Sequence, residues 1–88
     1  MERGASMTII ELTSMVHSIL AGGLLAIGEN LTFDTNLLES GLDSMAVAQL
    51  LLEIEARTGV WLDESLLTPE NLTSCKTLAR CVYGALEA

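Results

Sequence analysis

Few residues of this chain could do chemistry, and the run Leu37-Leu38-Glu39-Ser40-Gly41-Leu42-Asp43-Ser44-Met45 holds the most specific of them. It sets a serine at the start of a helix, where backbone N–H groups and the helix dipole favour anions. A phosphate ester on that hydroxyl would be electrostatically tolerated. Taken alone, Ser44 is more often a plain N-cap. His17 is the single histidine, which excludes a metal site with paired His ligands and leaves any Ser/His/Asp site dependent on one residue with no partner near it. Cys75 and Cys81 fall on one predicted helix, about 9 Å apart along its axis and about 240° apart around it, too far for a bridge. Free thiols are expected, as in a reducing compartment, with Cys75 in the core and Cys81 at the edge of its face. No calcium loop, phosphate loop or dinucleotide fingerprint is present, so no metal ligand and no catalytic residue is expected. Asn30-Leu31-Thr32 and Asn71-Leu72-Thr73 fit the glycosylation pattern and, without a secretory signal, are read as chance matches.

The elements that must position Ser44 are helical. Thr8 with Glu11 forms a capping box, and Ile9, Leu12, Val16, Ile19 and Leu20 continue it as an apolar stripe that ends at Gly22 and Gly23. Turn residues between Ala26 and Gly41 mark a structured loop pinned by Leu31, Phe33, Leu37 and Leu38. A second helix begins with Asp43 or Ser44 as cap and runs to Thr58, with Gly59 as its stop. Its core stripe is Val47, Leu50, Leu51 and Ile54. Val60 and Leu62 then turn inward by alternation, leaving Trp61 outside. Thr68 and Pro69 open one short turn through Leu72. Thr73 or Ser74 caps a last helix with the face Cys75, Leu78, Ala79, Val82 and Leu86. The expected fold is all-α, three main helices plus one short helix, in a single domain over 1–88 with about 7–87 ordered.

A helical wheel of the second helix separates two faces. With Ser44 at 0°, the core stripe centres near about 290°, and opposite it, near about 110°, stand Met45, Gln49, Leu52 and Ala56. A helix of a thin bundle should be polar on that side. An apolar stripe framed by Asp43, Glu53 and Glu55 instead has the composition of a transient docking surface, and a Met there suits several partner shapes. The competing reading covers the stripe with another helix.

Composition narrows the partners. Half of the 88 residues are apolar, 18% are charged and the formal charge is −8. A chain of that length buries roughly 60 to 65% of its unfolded surface, enough for one thin core. Disorder is excluded by the hydrophobicity. Residues 29–70 hold nine acids against Arg57 alone, and the flanks are neutral. Nucleic acid and anionic membrane surfaces would be repelled, while basic proteins would be attracted. Leu12 to Gly28 lacks Asp, Glu, Lys and Arg but is short for a span, polar in places and without flanking bases, and Met1 to Ser6 makes a poor signal leader. A cytoplasmic protein is expected.

The Gly-Leu-Asp-Ser-Met segment followed by an amphipathic helix resembles the attachment site of the acyl and peptidyl carrier proteins. The resemblance runs from about Ile9 to Leu86, including Asp34-Thr35-Asn36-Leu37-Leu38 in the loop and Arg57-Thr58-Gly59-Val60 at the end of the second helix. It implies a four-helix bundle with 4′-phosphopantetheine, taken from coenzyme A, esterified to Ser44 between Asp43 and Met45. It also implies a thioester cargo on that arm and no catalysis by the domain itself. The implied partners are a phosphopantetheinyl transferase, adenylating or acyl-loading enzymes and downstream biosynthetic enzymes. A monomer is expected, and Leu42, Met45, Gln49, Leu52, Ala56 and Trp61 are the residues expected to dock them. Fatty-acid carriers place carboxylates two and five residues after the serine, where this chain has Ala46 and Gln49. The segments Asp43-Ser44-Met45 and Gln49-Leu50-Leu51-Leu52-Glu53 look more like D-alanine carriers and stand-alone peptidyl carriers. Beyond Leu62, Pro69 to Ser74 is closer to carriers of specialised metabolism. The expected cargo is an aminoacyl unit or an unusual acyl unit. The alternatives are a fatty-acid or polyketide carrier and, from another class, a helical adaptor with no prosthetic group.

Overall fold

The computed structural model describes residues 7–26 and 28–87; the leader Met1 to Ser6 and the last residue lie outside them. The described residues form three α-helices and no strand: α1 (Ile9–Ile19), α2 (Ser44–Thr58) and α3 (Cys75–Glu87). The Thr8 side chain accepts from Glu11 N–H at 3.1 Å and the Glu11 carboxylate accepts from Thr8 N–H at 2.9 Å, closing the capping box that starts α1. α1 does not run unbroken to the glycine pair. It ends at Ile19 and passes into a π-helical turn, Leu20–Leu24, inside which Gly23 takes φ 141°, a conformation open to a residue without Cβ.

α1 packs chiefly on α3, and α2 lies against α1 and the π-turn. Leu12, Val16 and Leu20 from α1 and the π-turn, Leu50 and Ile54 from α2, and Leu78 and Val82 from α3 are fully enclosed. One stripe position falls elsewhere than expected. Ile9, in the first turn of α1, is 36% exposed, whereas Met15 and Thr13 are buried; Thr13 satisfies its hydroxyl by donating to Ile9 C=O at 2.7 Å.

The long connection to α2 is tied down at both ends. His17 Nε2 stands 2.6 Å from Leu31 C=O and its ring meets Phe33 edge-on at 5.3 Å. Farther along, Leu37 N–H donates to Thr73 C=O at 2.8 Å and Lys76 pairs with Asp34 at 3.0 Å, so the loop is held to the start of α3. Leu31 and Leu37 are buried as pins. Leu38, expected with them, is 43% exposed because the turn through Ser40 points it outward.

Between α2 and α3 the expected single turn opened by Thr68 and Pro69 is present, and an unexpected one precedes it. A 3₁₀ turn, Glu64–Leu66, is opened by Asp63, whose carboxylate accepts from Ser65 N–H at 2.9 Å. A separate single turn follows, with Leu72 N–H donating to Thr68 C=O at 3.0 Å and Asn71 N–H to Thr68 Oγ1 at 3.2 Å. Ser74 then caps α3 by exchanging bonds with Thr77. The described residues therefore contain three α-helices rather than four, with the fourth element present only as turns.

Candidate functional site

Ser44 is the first residue of α2, and the cap is Asp43. The two were equal candidates from sequence. The structure separates them because Asp43 adopts extended backbone (φ −113°, ψ −179°) and its Oδ1 accepts from Ala46 N–H at 2.9 Å. Val47 N–H is taken by Asp43 C=O at 2.9 Å. Ser44 is thereby released from capping. Its side chain is exposed and makes no hydrogen bond among the described residues, and neither its own N–H nor that of Met45 finds a partner there. An uncommitted hydroxyl beside two free amides at the positive end of a fifteen-residue helix suits an ester that carries a phosphate charge.

The outer face of α2 is bare. Met45 is 73% exposed and Leu52 58% exposed, with Gln49 and Ala56 also exposed between and beyond them, so no described element covers the stripe. Trp61 is 54% exposed on the segment leaving α2, while Leu62 beside it is buried as the alternation requires. Leu42, grouped with these residues by sequence, is in the core at 7% exposure, and only the wall of a cleft brings it near them. Ala46 is likewise buried, at 7% exposure.

Two clefts flank Leu52. One, of about 590 Å³, runs between α2 and the end of α1, with Gly22, Gly23 and Leu24 on one side and Gln49 and the exposed Arg57–Glu53 ion pair on the other. The second, of about 560 Å³, opens beside Ser44 and reaches under Trp61 to Leu67 and Leu72; its lining is mostly apolar. Sequence reasoning missed both, since each joins segments far apart in the chain.

The remaining candidates have structural work. His17 pins the loop, and no group of three or more His, Cys, Asp or Glu among the described residues could hold a metal ion. The two cysteines are free; burial pushes the Cys75 thiol up to about 11 and also raises that of Cys81, which leaves both poor nucleophiles. Asn71 spends its side-chain amide on Leu66 C=O at 2.6 Å. Hydrogen bonds from Ser65 hold the Asp63 carboxyl below the usual range. No helix of the described residues is long and apolar enough to cross a membrane.

Residues 11–82 match the family described as the phosphopantetheine attachment site. Aminoacyl carrier protein 2 of Bradyrhizobium diazoefficiens is 33% identical over 73 residues, which are 83% of this chain and 80% of the relative. Aminoacyl carrier protein 1 of the same organism is 36% identical over 62 residues, 70% and 69% of the two chains. Among solved structures, a chain from the complex of an engineered Bradyrhizobium japonicum glycine:[carrier protein] ligase with a carrier protein from Agrobacterium tumefaciens and ATP superposes with a TM-score of 0.68. That likeness has 27% identity and covers 82% of this chain and 96% of the other.

Proposed function

The chain belongs to the phosphopantetheine attachment-site family, and from that membership we propose that it is an aminoacyl carrier whose 4′-phosphopantetheine is joined to Ser44. The observation that carries the assignment to this residue is the exposed, uncommitted hydroxyl of Ser44 at the first position of α2, within the matched span. When bound, the group supplies a terminal thiol that takes up a carboxyl group as a thioester. Asp43 fixes the first turn of α2 so that the Ser44 hydroxyl faces outward, and the amides of Ser44 and Met45 balance the phosphate charge.

In this reading the chain catalyses nothing; it presents one cargo to several enzymes. Its partners are a phosphopantetheinyl transferase, an ATP-dependent ligase for amino acids and the enzymes that receive the aminoacyl unit. The aminoacyl assignment is supported by the names of the two relatives and by the ligase complex that contains the structural neighbour. The acidic segment 29–70 speeds encounter with basic enzyme surfaces without making the complexes long-lived. Met45, Gln49, Leu52, Ala56 and Trp61 form the surface on which partners settle, with Leu42 shaping it from beneath. The protein works as a monomer in the cytoplasm, in the four-helix form of the carrier fold, and the turns over 64–72 stand for the short helix.

Incubation with coenzyme A and a broad-specificity phosphopantetheinyl transferase should add one phosphopantetheine, seen by intact-protein mass spectrometry and absent from Ser44→Ala. No mass gain, or a gain that survives this substitution, would refute the carrier reading. The adaptor alternative makes the opposite forecast, a mild Ser44→Ala phenotype beside a severe Leu52→Asp.

A further inference from the structure

The cleft beside Ser44 is more selective in chemistry than in shape. Its floor is apolar, from Leu42, Val47, Leu51, Leu67 and Leu72. The charged residues of its lining are Asp43, at the start of α2, and Glu64, in the 3₁₀ turn; neither Arg57, Lys76 nor Arg80 reaches it. Both carboxylates are exposed and form no ion pair among the described residues. Trp61, also in the lining, leaves about half its surface exposed. A hydrocarbon cargo would use the floor alone and would draw nothing from the two carboxylates, and an acidic cargo would be repelled by them. An ammonium group would meet negative charge from two chain segments beside an indole.

We infer that this cleft is a binding site for the amino end of an aminoacyl cargo, with Asp43 and Glu64 attracting its ammonium and Trp61 covering it. The inference rests on Ser44 being the attachment residue. Because Ser44 itself lines the cleft, a flexible group tethered there folds back along a wall it already touches. The volume of about 560 Å³ is in the range of about 300–1,000 Å³ usual for small-molecule sites. The site thus separates aminoacyl from plain acyl units by charge.

The test uses two stable conjugates of the full chain, made by the transferase from coenzyme A analogues in which an amine replaces the terminal thiol. One carries a glycyl amide and the other an acetyl amide, so they differ only by the amino group. Two-dimensional ¹H–¹⁵N NMR then follows the Trp61 indole N–H and the Asp43 and Glu64 amides. The glycyl conjugate should shift these resonances several-fold more than the acetyl conjugate. The difference should collapse in Glu64→Gln and at about 0.5 M salt, where charge attraction is screened within a few ångströms. Equal shifts from the two conjugates, or a glycyl effect indifferent to both Glu64→Gln and salt, would overturn the inference while leaving the carrier reading intact. Failure to form any conjugate at Ser44, read by mass, would overturn both.

Discussion

Asp43 commits one carboxylate oxygen, Oδ1, to holding the first turn of α2, and its replacement separates structure from charge at the site. Asp43→Ala removes the acceptor for Ala46 N–H, now 2.9 Å away, and leaves that amide to water. Loss of such a cap costs about 1 kcal/mol, and loss of a negative charge at the helix start a further ~0.3–1 kcal/mol. In a domain of this size each kcal/mol lowers the melting temperature by about 4–8 °C. Asp43→Ala should therefore melt roughly 5–15 °C below the parent chain. Asp43→Asn keeps an acceptor of nearly equal quality and loses only the charge term, so its fall should be about half as large or less. Thermal unfolding followed by circular dichroism at low salt and at about 0.5 M salt distinguishes the two contributions, because salt should erase the gap between Asn and Asp but not that between Ala and Asn. Equal melting temperatures for the Ala and Asn variants would refute the reasoning, since the cap bond would then contribute nothing. Modification of Ser44, assayed well below the melting range, should slow in the Ala variant as the first turn frays.

Gly59→Ala should lower the denaturation midpoint, with about 1–2 kcal/mol lost at the left-handed φ of 75° that ends α2, and Gly59→Asn should lose less. Cys75 imposes a pH dependence whose sign is fixed: an unfolded thiol ionises near 9.0, whereas the folded one stays protonated to about 11. Stability should fall as pH rises through that window and level off above it, and the difference between parent and Cys75→Ala melting curves isolates the effect. Leu52→Asp should leave the melting temperature nearly unchanged, within about 0.5 kcal/mol, because the side chain is 58% exposed. Loading of the modified protein by an amino-acid ligase should nevertheless fall severalfold; unchanged loading would remove Leu52 from the docking surface.

Local signals were legible and crossings were not. Thr8 with Glu11 and Gly59 each act within one helical turn, so the start of α1 and the end of α2 can be read from neighbours in sequence. The same holds for the bare stripe of α2, which needs only the 3.6-residue period. The choice between Asp43 and Ser44 as cap depends on backbone angles that either residue could adopt. Burial of Met15 in place of Ile9 depends on where α3 crosses α1, and the exposure of Leu38 on how the loop is tied to Thr73. The segment before α3 was legible in part. The turn from Thr68 through Leu72 follows the local signal of Thr68 and Pro69, whereas the turn at Glu64–Leu66 rests on the bond between Asp63 and Ser65, which no expectation covered. The cleft beside Ser44 brings residues from Leu38 to Leu72 together, a span no local rule covers.

The ties between the long loop and the rest of the fold bear on more than stability. Leu37 bonded to Thr73, Lys76 paired with Asp34 and His17 set against Leu31 hold the approach to α2 at several points. In the carrier reading, a group tethered at Ser44 therefore swings from a pivot held at those points, and its search volume is set by the tether and by any hold the neighbouring cleft has on the cargo. For a short flexible tether the effective concentration at a docked active site is on the order of millimolar, whatever the concentration of free cargo. A loop that let the pivot wander would enlarge that volume and dilute the cargo before any enzyme touched it. In that reading the ties across residues 31–42 act as a concentrating device, and loosening them at His17 should lower transfer rates without altering a single residue of the proposed docking face.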